Sequence, residues 1–197
     1  MRVSFVRTLG RVLMLTGALA LAYSNYILLD QLWFGRAAAG ALQQQMLHRS
    51  SINAGRDTIE DHVSVPRAGD IIGRIEIPRI HVSAIVLEGS DSRILRIGAG
   101  HVQGTALPGM IGNIGIAAHR DTFFRPLREI QHNDVITLTT PQGVYRYEVR
   151  GMEIVDPSDT RVLSRTPHAE LTLVTCYPFY YVGSAPKRFI VHARQQG

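Results

Sequence analysis

The segment Leu171-Thr172-Leu173-Val174-Thr175-Cys176-Tyr177-Pro178 combines aliphatic and β-branched residues with a terminal proline. Such residues suit a pleated, half-buried surface. Proline cannot donate to a ladder, so a strand over Leu171–Thr175 must stop here. Period two sets Leu171 and Leu173 on one face and Cys176 on the other, at a strand end, where reactive side chains are accessible. Cys176 is the one cysteine among 197 residues, which excludes an intramolecular disulfide and a cysteine-rich metal site. A lone thiol is either a small buried hydrophobe or a nucleophile.

The same texture extends outward. Ile71–Ile77, Val82–Leu87, Asn113–Ala118, Val135–Thr139, Tyr145–Val155 and Phe189–Ala193 are further short β-rich runs. Pro78, Gly89, Gly109, Pro141-Gln142-Gly143, Pro157, Pro167 and Gly183 punctuate them with turn chemistry. Helical periodicity is confined to Asp91–Ile97 and Thr122–Ile130. Many short strands with few helices predict a mostly β barrel or sandwich over residues 69–197, long enough to bury a core without disulfides.

The N-terminal part differs in kind. Val12–Leu29 carries no charged residue, and a helix of that length rises about 27 Å, close to a hydrocarbon core of about 30 Å. Arg2, Arg7 and Arg11 precede it and Asp30 follows, so the positive-inside bias puts residues 1–11 in the cytoplasm and the remainder outside. Tyr23, Tyr26, Trp33 and Phe34 fall where an aromatic belt would meet the outer interface. Ala20-Leu21-Ala22 offers a small-x-small cleavage site, but apolar residues run well past it, favouring a retained signal-anchor. Residues 30–68 read as a helical stalk and then a polar linker; none of the nine prolines precedes Pro66.

The formal charge is +5, from 21 basic and 16 acidic residues. Arg2, Arg7 and Arg11 supply three of those charges, leaving an ordinary mixed surface with no basic run interleaved with aromatics. That excludes nucleic acid as a partner. Hydrophobic residues at 45% exclude general disorder. No His, Asp and Glu spacing suggests a metal site, and Gly98-Ala99-Gly100 and Gly112 lack the strand-to-helix setting of a phosphate loop. Neither cofactor nor metal is expected.

Alternation points to a constellation. Ile114, Ile116 and Ala118 share a face and His119 takes the other; Phe189 and Val191 share a face and Arg188 takes the other. If the apolar sides form the core, Cys176, His119 and Arg188 stand together on the opposite surface once their strands are neighbours. That trio suits acyl transfer. A thiolate attacks a carbonyl, an imidazolium stabilises the thiolate and protonates the leaving amine, and a guanidinium holds its charge beside an oxyanion. His192 shares the Arg188 face, and His101 is the one rival to His119. Asp121, just before Thr122, reads as a helix cap.

These residues carry a resemblance. Leu171-Thr172-Leu173-Val174-Thr175-Cys176 resembles the TLxTC signature of sortases, Ala118-His119-Arg120-Asp121 their histidine motif and Lys187-Arg188-Phe189 their arginine motif. Gly100-His101-Val102-Gln103-Gly104-Thr105-Ala106-Leu107-Pro108-Gly109 and Cys176-Tyr177-Pro178-Phe179 look most like class D. The resemblance implies an eight-stranded sortase-type barrel with Cys176 as nucleophile, His119 as general acid and Arg188 as oxyanion or substrate stabiliser. It implies that Thr175 helps line the oxyanion site through backbone or hydroxyl; Ala118 and His192 complete the candidate groove residues. Residues 156–169 fall where sortases carry the loop over the substrate groove. The implied substrates are secreted or surface proteins with an LPxT-like motif, cut after Thr and passed to an amine acceptor of the cell envelope. No acidic cluster supports the calcium site of some sortases. A pilus-polymerising sortase would call for a lid that is not evident before the barrel. An L,D-transpeptidase would call for a different cysteine motif. An anchored β-domain that only binds a partner would leave Cys176 merely packed.

Overall fold

The computed structural model describes Met14 and residues 65–196. The cytoplasmic segment, the anchor, the stalk and most of the linker, all expected within residues 1–64, lie outside the described residues except for Met14, which is helical and exposed. Among the described residues no helix is long and apolar enough to cross a membrane.

Every β-rich run becomes a strand. The strands are β1 (Ile71–Ile77), β2 (Val82–Glu88), β3 (Ala99–His101), β4 (Gly112–Ala117), β5 (Val135–Thr140), β6 (Gly143–Val155), β7 (Ala169–Tyr177) and β8 (Lys187–Gln195). They close a barrel in the order β1-β2-β3-β4-β7-β8-β6-β5, so barrel replaces the barrel-or-sandwich choice left open by periodicity. β6 is long enough to pair with β5 through one half and with β8 through the other, the register slipping between Val149 and Gly151. The interior is filled from alternate positions, including Ile75, Ile114, Ile116, Leu138, Leu171 and Leu173, all fully buried. Alternation in β4, β7 and β8 thus directs the apolar side inward as expected. Tyr147 lies in the same core, and burial pushes its phenol well above the ordinary range.

β3 is the strand that sequence texture misses. Ala99-Gly100-His101 has little intrinsic β preference, yet it pairs in parallel with β2 and antiparallel with β4. A Cβ on Gly100 would stand 2.2 Å from the Gly89 carbonyl oxygen. Close packing selects glycine there, against local propensity.

The first helical expectation holds as α1 (Ser92–Ile97), whose N-cap Asp91 accepts from the Arg93 and Ile94 amides at 2.8 and 3.1 Å. The second is corrected. Thr122–Ile130 is a turn followed by a 3-10 segment, Arg125–Glu129, without a side-chain cap from Asp121. Phe124, Leu127 and Ile130 are buried at a spacing of three, which matches three residues per turn rather than 3.6.

One ion pair ties the barrel where β1 and β5 meet. Arg79, in the 3-10 turn after β1, donates through Nε and Nη2 to the Asp134 carboxylate just before β5. The Asp134 carboxylate also accepts the Gln131 amide at 2.8 Å. These bonds, led by that from Arg79, hold its carboxyl below the usual range against the opposing effect of burial. Because the folded value is depressed, the contribution is present above the unfolded-chain value near about 4 and is lost as pH falls through the lower folded value. Melting temperature followed from pH 6 down to pH 2.5 should therefore drop steeply below about pH 4 in the parent, and the drop should be shallower in Asp134→Asn.

Candidate active site

Two ladders position the site. β4 and β7 run parallel with Ala117 opposite Val174, while β7 and β8 run antiparallel with Cys176 opposite Arg188. Cross-strand partners project to the same face with Cβ atoms about 5 Å apart, so thiol and guanidinium leave the sheet side by side. Beyond Ala117 the chain stays bound to β7: the Ala118 amide donates to the Val174 carbonyl at 3.2 Å and the Thr175 hydroxyl to the Ala118 carbonyl at 2.8 Å. The ladder ends at Ala117, and His119 follows two residues beyond it, on the side of β7 opposite β8.

Leu171, Leu173 and Thr175 point into the barrel, which leaves Cys176 on the outer face. Cys176 and His119 are both half-buried, and the thiol is free. Among the described residues neither side chain is committed to a hydrogen bond. Arg188 donates through Nη1 to the Lys187 and Ala185 carbonyls at 3.0 and 3.3 Å; its Nε and Nη2 make no bond among the described residues. Cys176 and Arg188 therefore fall side by side on one face, and His119 follows the end of β4, the other neighbour of β7.

The secondary candidates fare differently. The Thr175 side chain is 2% exposed, and its single hydroxyl proton goes to the Ala118 carbonyl. Only its backbone is left to line a site. Ala118 is buried in the core, so it acts through its main chain and does not line the groove. His192 stands opposite Thr172, four residues along β8 from Arg188, with Nε2 2.9 Å from Glu153 Oε1; it is paired away from the thiol.

His101, the rival, is structural. It is 2% exposed, with Nδ1 2.6 Å from Glu88 Oε2 and Nε2 3.0 Å from both the Ala106 carbonyl and Thr105 Oγ1. Thr105 gives its own proton to the Val102 carbonyl and accepts the Gly115 amide at 3.0 Å. The network pins the loop at residues 102–111 onto β4.

A second loop covers the same face. In the connection 156–168, Val162 packs with Val155 and Ile190, joined by Leu163 and Val174. Asn113, buried on β4, donates to the Val162 and Ser164 carbonyls at 2.9 and 3.3 Å and accepts the Thr172 hydroxyl at 2.8 Å. Sequence reasoning did not single out Asn113, though a polar residue opening an otherwise apolar strand was a signal. Between the two loops opens a pocket of about 210 Å³, lined by Thr105, Ala106, Met110, Ile111, Leu163 and Arg165 among others. A Cβ on Gly115 would meet Leu163 at 2.8 Å, so glycine lets the loops close over the strand.

A parallel–antiparallel sheet triple presenting Cys, His and Arg on one end of a closed barrel is a specific arrangement, and comparison with known proteins agrees. The sortase domain family model matches residues 75–196. The chain belongs to the sortase family. It is similar to Sortase D of Bacillus subtilis (strain 168), at 38% identity over 131 residues, 66% of each chain. It is also similar to Sortase A of Listeria monocytogenes serovar 1/2a, at 30% identity over 110 residues, 54% of this chain and 49% of the relative. The chain thus spans about half to two-thirds of the length of these relatives. Among solved structures, a Clostridium perfringens Sortase D5 transpeptidase superposes with a TM-score of 0.68 at 27% identity, covering 83% of this chain and 99% of that one.

The buried network yields a prediction that separates His101 from the catalytic candidates. His101→Ala leaves the Glu88 carboxyl buried without its partner and should cost about 3–5 kcal/mol in denaturant unfolding. Glu88→Gln keeps a hydrogen-bonding group and should cost about 1 kcal/mol. Activity per folded molecule should stay near the parent value in Glu88→Gln.

Proposed function

We propose that this chain is a membrane-anchored cysteine transpeptidase that processes secreted or surface proteins bearing an LPxT-like sorting motif. The observation that carries the reading is the register that sets Cys176 opposite Arg188, with His119 just past the end of β4, the strand paired with β7 on its other side. The similarity to a class D relative and to a protein described as a transpeptidase supports it.

The Cys176 thiolate attacks the carbonyl carbon of the motif threonine. Arg188, with Nε and Nη2 uncommitted, stabilises the developing oxyanion without giving up its proton. The threonine C–N bond breaks, the leaving amine takes a proton from the His119 imidazolium, and a thioester remains on Cys176. An amine of the cell envelope then attacks the thioester and passes its proton back to His119. The new amide forms and the thiolate is released. The walled face of β4 and β7 supports an extended peptide lying along the strands toward Cys176. The uncharged span at residues 12–29 would hold the barrel outside the cytoplasmic membrane, with residues 1–11 inside. No cofactor enters the chemistry.

The test is a peptide-library assay with a small primary amine as acceptor. Cys176→Ala should abolish both cleavage and ligation with an unchanged melting curve, and retained ligation would refute the nucleophile. Arg188→Lys keeps the charge and loses the planar fork, so kcat should fall about 10²–10³-fold.

A further inference from the structure

Arg120 follows His119 directly, and the function proposed above gives it no part. Its guanidinium reaches across to the loop between β7 and β8, residues 178–186. There Nη1 donates to the Pro178 carbonyl at 3.1 Å, and Nη2 donates to the Tyr181 and Gly183 carbonyls at 2.6 and 2.9 Å. The same guanidinium carbon lies 5.8 Å from the centre of the Tyr181 ring. Three main-chain carbonyls of one loop thus converge on one side chain, and Arg120 forms no ion pair among the described residues.

That loop is the piece of chain that joins Cys176 to Arg188. It begins two residues after the thiol and ends two residues before the guanidinium. Phe179 packs its start against the core and the Tyr177 and Phe189 rings, but beyond it the loop contains Gly183 at φ 97°, and Tyr180, Tyr181 and Val182 are all exposed, so packing does little to fix the path of its tip. Outside the arginine contacts, a single main-chain bond from the Tyr181 amide to the Pro178 carbonyl, at 3.4 Å, spans the turn. A second arginine of the same β4–β5 connection supports its flank: Arg128 donates to the Tyr180 hydroxyl at 2.7 Å, its guanidinium 5.6 Å from that ring.

We propose that Arg120 is a positioning residue for the Cys176–His119–Arg188 site: its forked bonds to the Pro178, Tyr181 and Gly183 carbonyls lock the segment carrying His119 to the loop joining Cys176 to Arg188. The proposal rests on the transpeptidase reading above. The physical need is plain. The β4 ladder ends at Ala117, so His119 sits beyond the last rung, and hydrogen bonds of Ala118 are the last sheet-like hold on it. A planar guanidinium, with donors diverging at fixed angles, serves several carbonyls at once; an ammonium is a point donor and does not reproduce that geometry. Misplacement of a reacting group by about 1 Å can cost on the order of 10²-fold in rate.

The experiment uses the full chain as Arg120→Lys and Arg120→Ala beside the parent. Because Cys176 is the only cysteine, alkylation by iodoacetamide reports its thiolate alone and needs no substrate. Its rate is followed from pH 5 to pH 10, together with melting temperature and with kcat and KM for a peptide the parent cleaves. In Arg120→Ala the alkylation midpoint should rise relative to the parent, kcat should fall roughly 10–100-fold, and KM should change less than threefold. Arg120→Lys should restore less than half of the lost kcat. A purely structural arginine would lower the melting temperature without moving the midpoint, and that result would overturn the proposal. So would variants with parental kcat. If Arg120→Ala does not fold, Arg120→Lys decides by the same two readouts. A parent without Cys176-dependent turnover would sink the transpeptidase reading. An unshifted Arg120 variant beside an active parent would sink only the role of Arg120.

Discussion

The structure hangs on the registry of three strands. β4 lies parallel to β7 and β7 antiparallel to β8, and the side-chain period of two converts that registry into an assignment of faces. A slip of one residue in either ladder would turn Cys176 inward among Ile114, Ile116 and Leu173, or turn Arg188 into the barrel. Fully buried aliphatic side chains from all three strands oppose any slip, because moving them to the outside would expose the whole set to water. The apolar core therefore holds the polar site in place from behind.

What the core cannot do is build the walls. Those are two connections laid over the outer face, each fastened by a different means. The loop at residues 102–111 is held through the Glu88–His101–Thr105 network, which ends on the Gly115 amide. Every donor in it meets an acceptor, as a buried polar network requires. The connection at residues 156–168 is held by a small apolar cluster around Val162 and by the Asn113 amide. Both fastenings engage β4, the strand that delivers His119, so the walls and the imidazole are referred to the same backbone. The loop between β7 and β8 is packed at its start through Phe179, and its exposed tip relies on arginines from the facing connection.

Much of the site was legible because it is written in strands. Leu171 to Cys176, Ile114 to His119 and Arg188 to Val191 each show an apolar alternation with one reactive residue out of phase, and alternation survives folding unchanged. What was not legible has a common cause. Ala99-Gly100-His101 is a strand only because β2 and β4 flank it and leave space for no larger residue than glycine at position 100. His101 looked like a rival base because a sequence does not reveal that Glu88 would be buried against it. Thr175 and Ala118 are neighbours of the reactive residues along the chain, but adjacent positions face opposite sides of a sheet, so both belong to the core. Thr122–Ile130 carried helical composition, yet burial of Phe124, Leu127 and Ile130 at three-residue spacing drew it into a 3-10 turn.

By itself, the sequence determined the β character of residues 69–197, the inward and outward faces of each long strand, the single thiol and the motifs that resemble sortases. These follow from local pattern, since hydrophobic period and turn residues act over a few neighbours. The tertiary structure decided which strands become partners, that the sheet closes into a barrel, which histidine is buried with a carboxylate, and that Arg120 reaches a loop some sixty residues away in sequence. Those outcomes depend on contacts between distant stretches of chain, and only the packed barrel fixes them.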